Sequence, residues 1–130
     1  MELVKQISVF TSNAPGVLAN ICGFLRDEKI SLNGISVVDH SDHALIRIIP
    51  SDPQRTLHLL GEAGLCAVEN EILRIELSRG AGSLERILKA FSDSGLDILY
   101  LYGSEPANDR PVVYLNLSDN NKGLALFSRS

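Results

Sequence analysis

Ile7 and Val9 alternate with polar residues between positions 5 and 11, which predicts a strand with one buried face. Ser12, Asn13, Ala14, Pro15 and Gly16 break this run. Pro15 suits the first turn of a helix, where its missing N–H would have no partner anyway. Leu18, Ile21, Cys22 and Leu25 then recur at helical spacing, Val17 and Phe24 widen the stripe, and the helix is expected to end near Glu28 or Lys29. Residues 31–38 predict a second strand, in which Gly34 signals a bulge or a close backbone approach. Residues 39–42 form a polar turn, and residues 44–49, rich in β-branched side chains, a third strand. Asp52 as cap and Pro53 as first residue open a second helix with Leu57 and Leu60 on its apolar side, and Gly61 and Gly64 bracket its end. Cys66, Ala67 and Val68 predict a short strand, separated by Glu69 and Asn70 from another at residues 72–77. The order β-α-β-β-α-β is the ferredoxin-like, split-βαβ arrangement, with both helices on one face of an antiparallel sheet.

The pattern then repeats. An offset of 66 positions lays Ile75 on Val9, Ser78 on Ser12, Gly82 on Gly16, Leu84 on Leu18, Ile87 on Ile21 and Asp93 on Asp27. Residues 84–91 match the first helix, 97–102 the second strand and, after one extra loop residue, 112–115 the third. Ser118 and Asp119 then fall on Ser51 and Asp52, and residues 120–127 on the second helix. Nothing corresponds to Cys66, Ala67 and Val68. The expectation is an α+β chain of two duplicated units, residues 1–70 and 71–130, side by side, with antiparallel sheets, helices on one face and no last strand in the second unit. A sheet edge without its partner invites pairing, and units of ~60 residues are marginal alone, so a homodimer is expected.

Composition narrows the function. Hydrophobic residues make up 45 % and charged residues 22 % of 130, an ordinary soluble balance. No apolar run approaches the ~20 residues of a membrane helix, and the start of the chain lacks the basic and apolar blocks of a signal peptide. The expectation is a cytoplasmic protein with no membrane partner. Asp and Glu number 16 against 12 Lys and Arg, for a net charge of -4, which disfavours a phosphate backbone. With 5 % aromatics and no Trp, base stacking is disfavoured too, so no nucleic-acid partner is expected. Cys22 and Cys66 each sit in an apolar stretch and read as reduced core thiols.

The run Val9, Phe10, Thr11, Ser12, Asn13, Ala14, Pro15, Gly16, Val17, Leu18, Ala19, followed by Ile21, Leu25 and Ile30, Ser31, Leu32, resembles the opening of an ACT domain: strand, Asn-x-Pro-Gly-x-Leu, helix, short apolar strand. Residues 71–130 look like a degenerate copy, so the chain is similar to a stand-alone tandem ACT protein. That resemblance implies a non-enzymatic regulatory module without cofactor or metal. It implies an amino acid bound at interfaces between ACT units, a homodimer, and a partner enzyme of amino-acid metabolism. The residues it points to are Thr11, Asn13, Ala14, Pro15, Gly16, Val17 and Leu18 in the first loop, and Arg79, Gly82, Ser83 and Leu84 in the second. To these it adds Ser31, Leu32, Ile98 and Leu99 on second strands, contributed to the site of a neighbouring unit. The chemistry agrees: a helix start suits a carboxylate, Gly16 admits a close ligand backbone, and Asn13 offers donor and acceptor. Thr11 stands where serine-binding members have His, and Ser31 where they often have Asn. In the second loop the Asn and Pro positions have become Arg79 and Ala81. An alternative is an ACT-like interaction or dimerisation module with vestigial sites, because Asn-Ala-Pro-Gly is also a good strand-to-helix turn.

Other constellations are weaker. Asp39, His40, Ser41, Asp42 and His43 have metal-ligand chemistry, but they fall in a turn where Asp and Ser are expected anyway. Gly80, Ala81 and Gly82 lack the Lys-Ser/Thr of a P-loop, and no Gly-x-Ser-x-Gly surrounds Ser83. His58 falls on the polar side of its helix. Tyr100, Tyr102 and Tyr114 read as amphipathic rings at a sheet interface or as a ligand wall. The loops are unequal: the first keeps the whole motif and the second has gained a cation. Asn13→Ala is therefore expected to weaken amino-acid binding more than Arg79→Ala, as read by titration calorimetry; a larger loss in Arg79→Ala would move the principal site to the second loop.

Overall fold

The computed structural model describes residues 1–12, 14–78, 80–107 and 110–127, with the side chains of 104–107 excepted. Six strands and four helices form among the described residues, in the order β1 (Glu2–Ser12), α1 (Val17–Asp27), β2 (Leu32–Asp39), β3 (His43–Pro50), α2 (Pro53–Glu62), β4 (Cys66–Glu76), α3 (Ser83–Asp93), β5 (Ile98–Ala107), β6 (Arg110–Leu117) and α4 (Asn120–Phe127). This is the expected mixture of antiparallel strands and helices. The chain divides into two compact units, Lys5–Asn70 and Met1–Val4 with Glu71–Ser130.

In the amino-terminal unit the strand order is β2-β3-β1-β4. β3 pairs antiparallel with β1 and with β2, and the β2 register shifts between Leu32 and Gly34, so the bulge signalled by Gly34 is present and Asn33 is its extra residue. Ile7, Val9, Ile46 and Ile48 project from the sheet onto Ile21 and Leu25 of α1 and Leu60 of α2. At the start of α2 the Arg55 N–H donates to Asp52 Oδ1 at 3.2 Å and Pro53 occupies the first turn, as the sequence predicts. Arg55 then anchors the helix by donating to the Glu28 carbonyl and carboxylate at 2.6 and 2.7 Å.

The carboxy-terminal unit repeats this core position by position. Leu73, Ile75, Val113 and Leu115 take the places of Ile7, Val9, Ile46 and Ile48, and Phe91 that of Leu25. Even the tie between the second strand and the second helix recurs. Ser31 and Ser51 exchange two hydrogen bonds of 3.1 and 2.8 Å, and Asp97 and Ser118 exchange two of 3.0 and 2.9 Å.

Four expectations are corrected. β4 is one strand of 11 residues, not two short ones. Its middle stays extended because its polar residues find partners on β1: Gln6 Nε2 donates to Asn70 Oδ1 at 3.2 Å, and Lys5 Nζ lies 3.6 Å from Glu69 Oε1. β1 begins at Glu2 rather than near Lys5, because Leu3 packs on the carboxy-terminal core and Glu2 reaches Arg74 at 3.9 Å. No strand follows α4 among the described residues, but the order in this unit is β1-β4-β6-β5. The edge of β4 expected to lack a partner is therefore occupied by the beginning of β1, which removes the open-edge argument for a dimer. The cysteines are free but not core thiols: Cys66 is exposed and Cys22 half-buried. Ala67 and Leu65 face the core, which turns the intervening Cys66 the other way.

α4 sits close to its sheet because Gly123 stands where α2 has Thr56. A Cβ at Gly123 would overlap Leu117 Cδ1 and press on Leu73 and Phe91, each at 3.3 Å. Gly123→Val is expected to destabilise the protein by about 1–3 kcal/mol through overpacking, read as a lower urea midpoint. Gly61→Ala, at an open helical position with nothing within 4 Å, is expected to raise stability by about 0.4–1 kcal/mol.

Candidate functional site

β1 delivers Thr11 and Ser12 to the start of α1. The chain turns through Ala14 and Pro15, the Val17 N–H donates to the Ala14 carbonyl at 3.4 Å, and Gly16 caps the helix with φ of 87°. That left-handed conformation is what the glycine is for; an added Cβ there would meet nothing within 4 Å. No side chain of the capping residue closes the helix, and its first turn has no acidic residue. The Asn20 N–H donates to the Gly16 carbonyl at 2.9 Å, opening the helical ladder. The N–H groups before it lie in the first turn, where helical geometry supplies no carbonyl acceptor and the dipole is positive.

Beside this helix start lies a cavity of about 60 Å³. Thr11, Ser12 and Ala14 border it from the loop, Val17 and Leu18 from α1, and Val37, Ala44 and Ile46 from β2 and β3. The register explains the grouping: Thr11 is paired with Ala44, and Val37 with Ile46, so these side chains share the face on which α1 lies. A second hollow of about 300 Å³ lies across Thr11 and Val17, walled by Asn20, Ile21 and Phe24 of α1 and by Ala63 and Leu65.

The helix start of the carboxy-terminal unit is different. Gly82 again caps with φ of 91°. But Leu77, buried in the core, stands where Thr11 borders the cavity, and Ser83 replaces Val17 with its Oγ donating to the Ser78 carbonyl at 3.0 Å. Glu85 adds a carboxylate to the first turn. Along α3 an open groove of about 680 Å³ is lined by Gly82, Leu84, Glu85, Leu88, Lys89 and Ser92, with Ile98 from β5.

Of the residues singled out from the sequence, the structure brings Thr11, Ala14, Val17 and Leu18 to one cavity, and Gly82, Leu84 and Ile98 to one groove. Pro15 is exposed in the turn. Ser31 and Leu32 lie elsewhere: Leu32 is paired with Pro50, six positions along β3 from the Ala44 that faces Thr11, or about 20 Å. Leu99 is the extra residue of a bulge in β5 and is exposed. Asn13 and Arg79 lie outside the described residues. Sequence reasoning missed Ser12, Val37, Ala44 and Ile46. Their alternation shows which of them share a face, but only the register places that face over the loop.

The other candidates resolve locally. His40 and His43 stack at 5.0 Å in the β2–β3 turn, and His43 Nδ1 lies 2.8 Å from Asp42 Oδ1, a hydrogen bond that lowers the Asp42 pKa. Among the described residues no three His, Cys, Asp or Glu side chains gather as metal ligands. His58 is exposed and pairs with Glu62 at 2.9 Å. Tyr102 stacks on the buried Tyr114 at 5.5 Å. Beside Tyr114, burial acts against the Arg74 guanidinium, but hydrogen bonds to Glu76 and Tyr114 outweigh it and raise its pKa.

A family model described as an ACT domain pair matches residues 2–123. Among solved structures, a protein of Bacteroides thetaiotaomicron superposes with a TM-score of 0.89 at 25 % identity, covering 95 % of this chain and 85 % of that one. The ligand-free regulatory subunit of aspartate kinase from Thermus thermophilus gives 0.66 at 17 % identity, covering 96 % and 94 %. That from Thermus flavus gives 0.59 at 20 %, covering 88 % and 86 %. The two Thermus structures share the fold with this chain. No curated protein matches it.

Gly16→Ala and Gly82→Ala are each expected to destabilise by about 1–2 kcal/mol, measured by urea unfolding, because the left-handed backbone strains any L side chain even in open space. Losses near zero would show that these loops relax to another conformation.

Proposed function

Since the chain belongs to the ACT domain pair family, we propose that it is a non-catalytic regulatory module that binds an amino acid at the start of α1. One observation carries this reading: a cavity opens beside a helix start that has a left-handed glycine, no acidic residue in its first turn and, among the described residues, no side-chain cap. The ligand carboxylate would take the first-turn N–H groups and their partial positive charge, worth about 0.3–1 kcal/mol where exposed and up to ~2 where partly buried. The ligand side chain would enter the cavity.

A homodimer fits the same site. Val37 reaches the cavity from the unit's own β2, whereas Ser31 and Leu32 are too far along to reach the loop of their own unit and in this proposal serve the loop of another copy. β2 and β5 end their sheets, Ile35, Val37 and Leu99 are exposed on them, and β2 carries no charge before Asp39 to discourage pairing. A cytoplasmic location and a partner enzyme of amino-acid metabolism complete the proposal; in the latter it parallels the aspartate kinase regulatory subunits named above. For the carboxy-terminal unit the alternative role, interaction without a ligand, is favoured by Leu77, Ser83 and Glu85: two side chains close the loop and the third opposes a carboxylate.

A thermal-shift screen of the twenty amino acids tests the reading. A ligand at 100 times its Kd should add about 2.7 kcal/mol of stability, and Thr11→Leu, which copies the closed loop of the other unit, should remove the effect. No shift with any amino acid would overturn the proposal, and so would a shift that survives in Thr11→Leu. Sedimentation at micromolar concentration should show a dimer.

A further inference from the structure

We infer that the amino acid is one with a small aliphatic side chain, valine or alanine in size, and that Ala44 and Val37 set this limit; the inference rests on the site proposed above. Its basis is the lining of the cavity beside α1. Ala44 and Ile46 form a buried floor, 5 % and 2 % exposed. Val37 and Leu18 stand at its sides with 48 % and 36 % of their surface open to solvent, apolar surface that a ligand side chain would cover. Among the described residues the polar side chains on the lining are the hydroxyls of Thr11 and Ser12, and none of them is charged.

Size and polarity act separately. The cavity measures about 60 Å³. An apolar cavity that holds a benzene ring measures about 150 Å³, so aromatic side chains are too large, whereas a group of two or three carbons fits. A carboxylate or ammonium side chain would lose its hydration against Val17, Ala44 and Ile46 with no counter-charge among the described lining residues, which disfavours acidic and basic amino acids more strongly. Hydrophobic pockets discriminate by roughly 10–200-fold per methylene, so neighbouring aliphatic side chains are separated modestly and the other classes sharply.

Ala44 is the residue on which the limit depends. It is the small floor residue, paired with Thr11 across the sheet, and a β-branched replacement suits the strand while filling the space. Val37 is half-exposed on the outermost strand and can be changed with little effect on the core.

The test is titration calorimetry of the full chain with valine, alanine, phenylalanine, aspartate and lysine, repeated on Ala44→Val and Val37→Asp, with circular dichroism to check folding. The expected result is that valine or alanine binds at least tenfold more tightly than phenylalanine and a hundredfold more tightly than aspartate or lysine. Ala44→Val should weaken valine at least tenfold and alanine less. Val37→Asp should weaken both in a protein that folds normally, which keeps the test informative if Ala44→Val misfolds. Tightest binding by phenylalanine, aspartate or lysine, with Thr11→Leu still abolishing it, would overturn the side-chain assignment and leave the amino-acid site standing. Valine binding unchanged in both variants would overturn the assignment of the cavity. Binding by none of the twenty amino acids would overturn this inference together with the site.

Discussion

The constraint on which the structure turns is the supply of a fourth strand to the carboxy-terminal sheet. A sheet of β4, β6 and β5 under two helices leaves one side of β4 without partners, and unpaired N–H and C=O groups beside an apolar core are costly. No strand follows α4 among the described residues, so the start of the chain takes that place. Residues 1–4 join this unit while residues 5–12 of the same strand serve the other, and β4 is divided likewise at Asn70 and Glu71. Both strands are 11 residues long, about twice the usual length. Leu3 and the Glu2–Arg74 ion pair are what this extension adds to the carboxy-terminal unit, and the buried Gln6 and its Asn70 partner hold the polar middle of the two strands in extended form.

Around that arrangement the duplicated halves have kept their packing and changed their loops. The core positions agree from Ile7 and Leu73 to Ile48 and Leu115. The helix exits agree as well: Lys29 and Gly95 both take positive φ, and Ile30 and Leu96 each donate back to the residue five before. The differences gather at the helix starts. Where the amino-terminal loop has Thr11, Val17 and Ala19, the other has the buried Leu77, Ser83 with its hydroxyl on the Ser78 carbonyl, and the carboxylate of Glu85. Packing restrains a core residue by volume, while a loop residue at a helix start is restrained only by cap geometry. Both loops keep the glycine that this geometry needs.

The cavity therefore needs no special machinery. A glycine that takes φ of 87° brings no side chain of its own over the first turn, a threonine in place of a leucine leaves space, and an alanine on the neighbouring strand leaves more. Each is a small omission of side-chain volume or of a cap, and each would be cheap to fill. In a close-packed interior such omissions cost stability, and the proposed binding site rests on their coincidence at one helix start.

Much was legible in the residues alone. Alternation at Ile7 and Val9, helical spacing from Leu18 to Leu25, Pro53 after Asp52 and the 66-residue offset determined the elements, the duplication and the family resemblance, because these signals are local and periodic. The loop of the candidate site was legible for the same reason, since its turn chemistry lies within a few consecutive residues. Three things were decided only by the tertiary structure. Glu69 and Asn70 read as a break, and became mid-strand because their partners, Lys5 and Gln6, lie 64 positions away. Residues 2–4 fell outside the strand read from residue 5 onward, and became part of β1 beside β4, with Leu3 on the core of the carboxy-terminal unit. Val37, Ala44 and Ile46 read as ordinary strand residues, and became the walls of the cavity through a register that pairs β1 with β3 and β3 with β2. Local propensity and period are carried by neighbours in the chain; register and strand partnership depend on which distant residues meet, and only the folded chain brings those together.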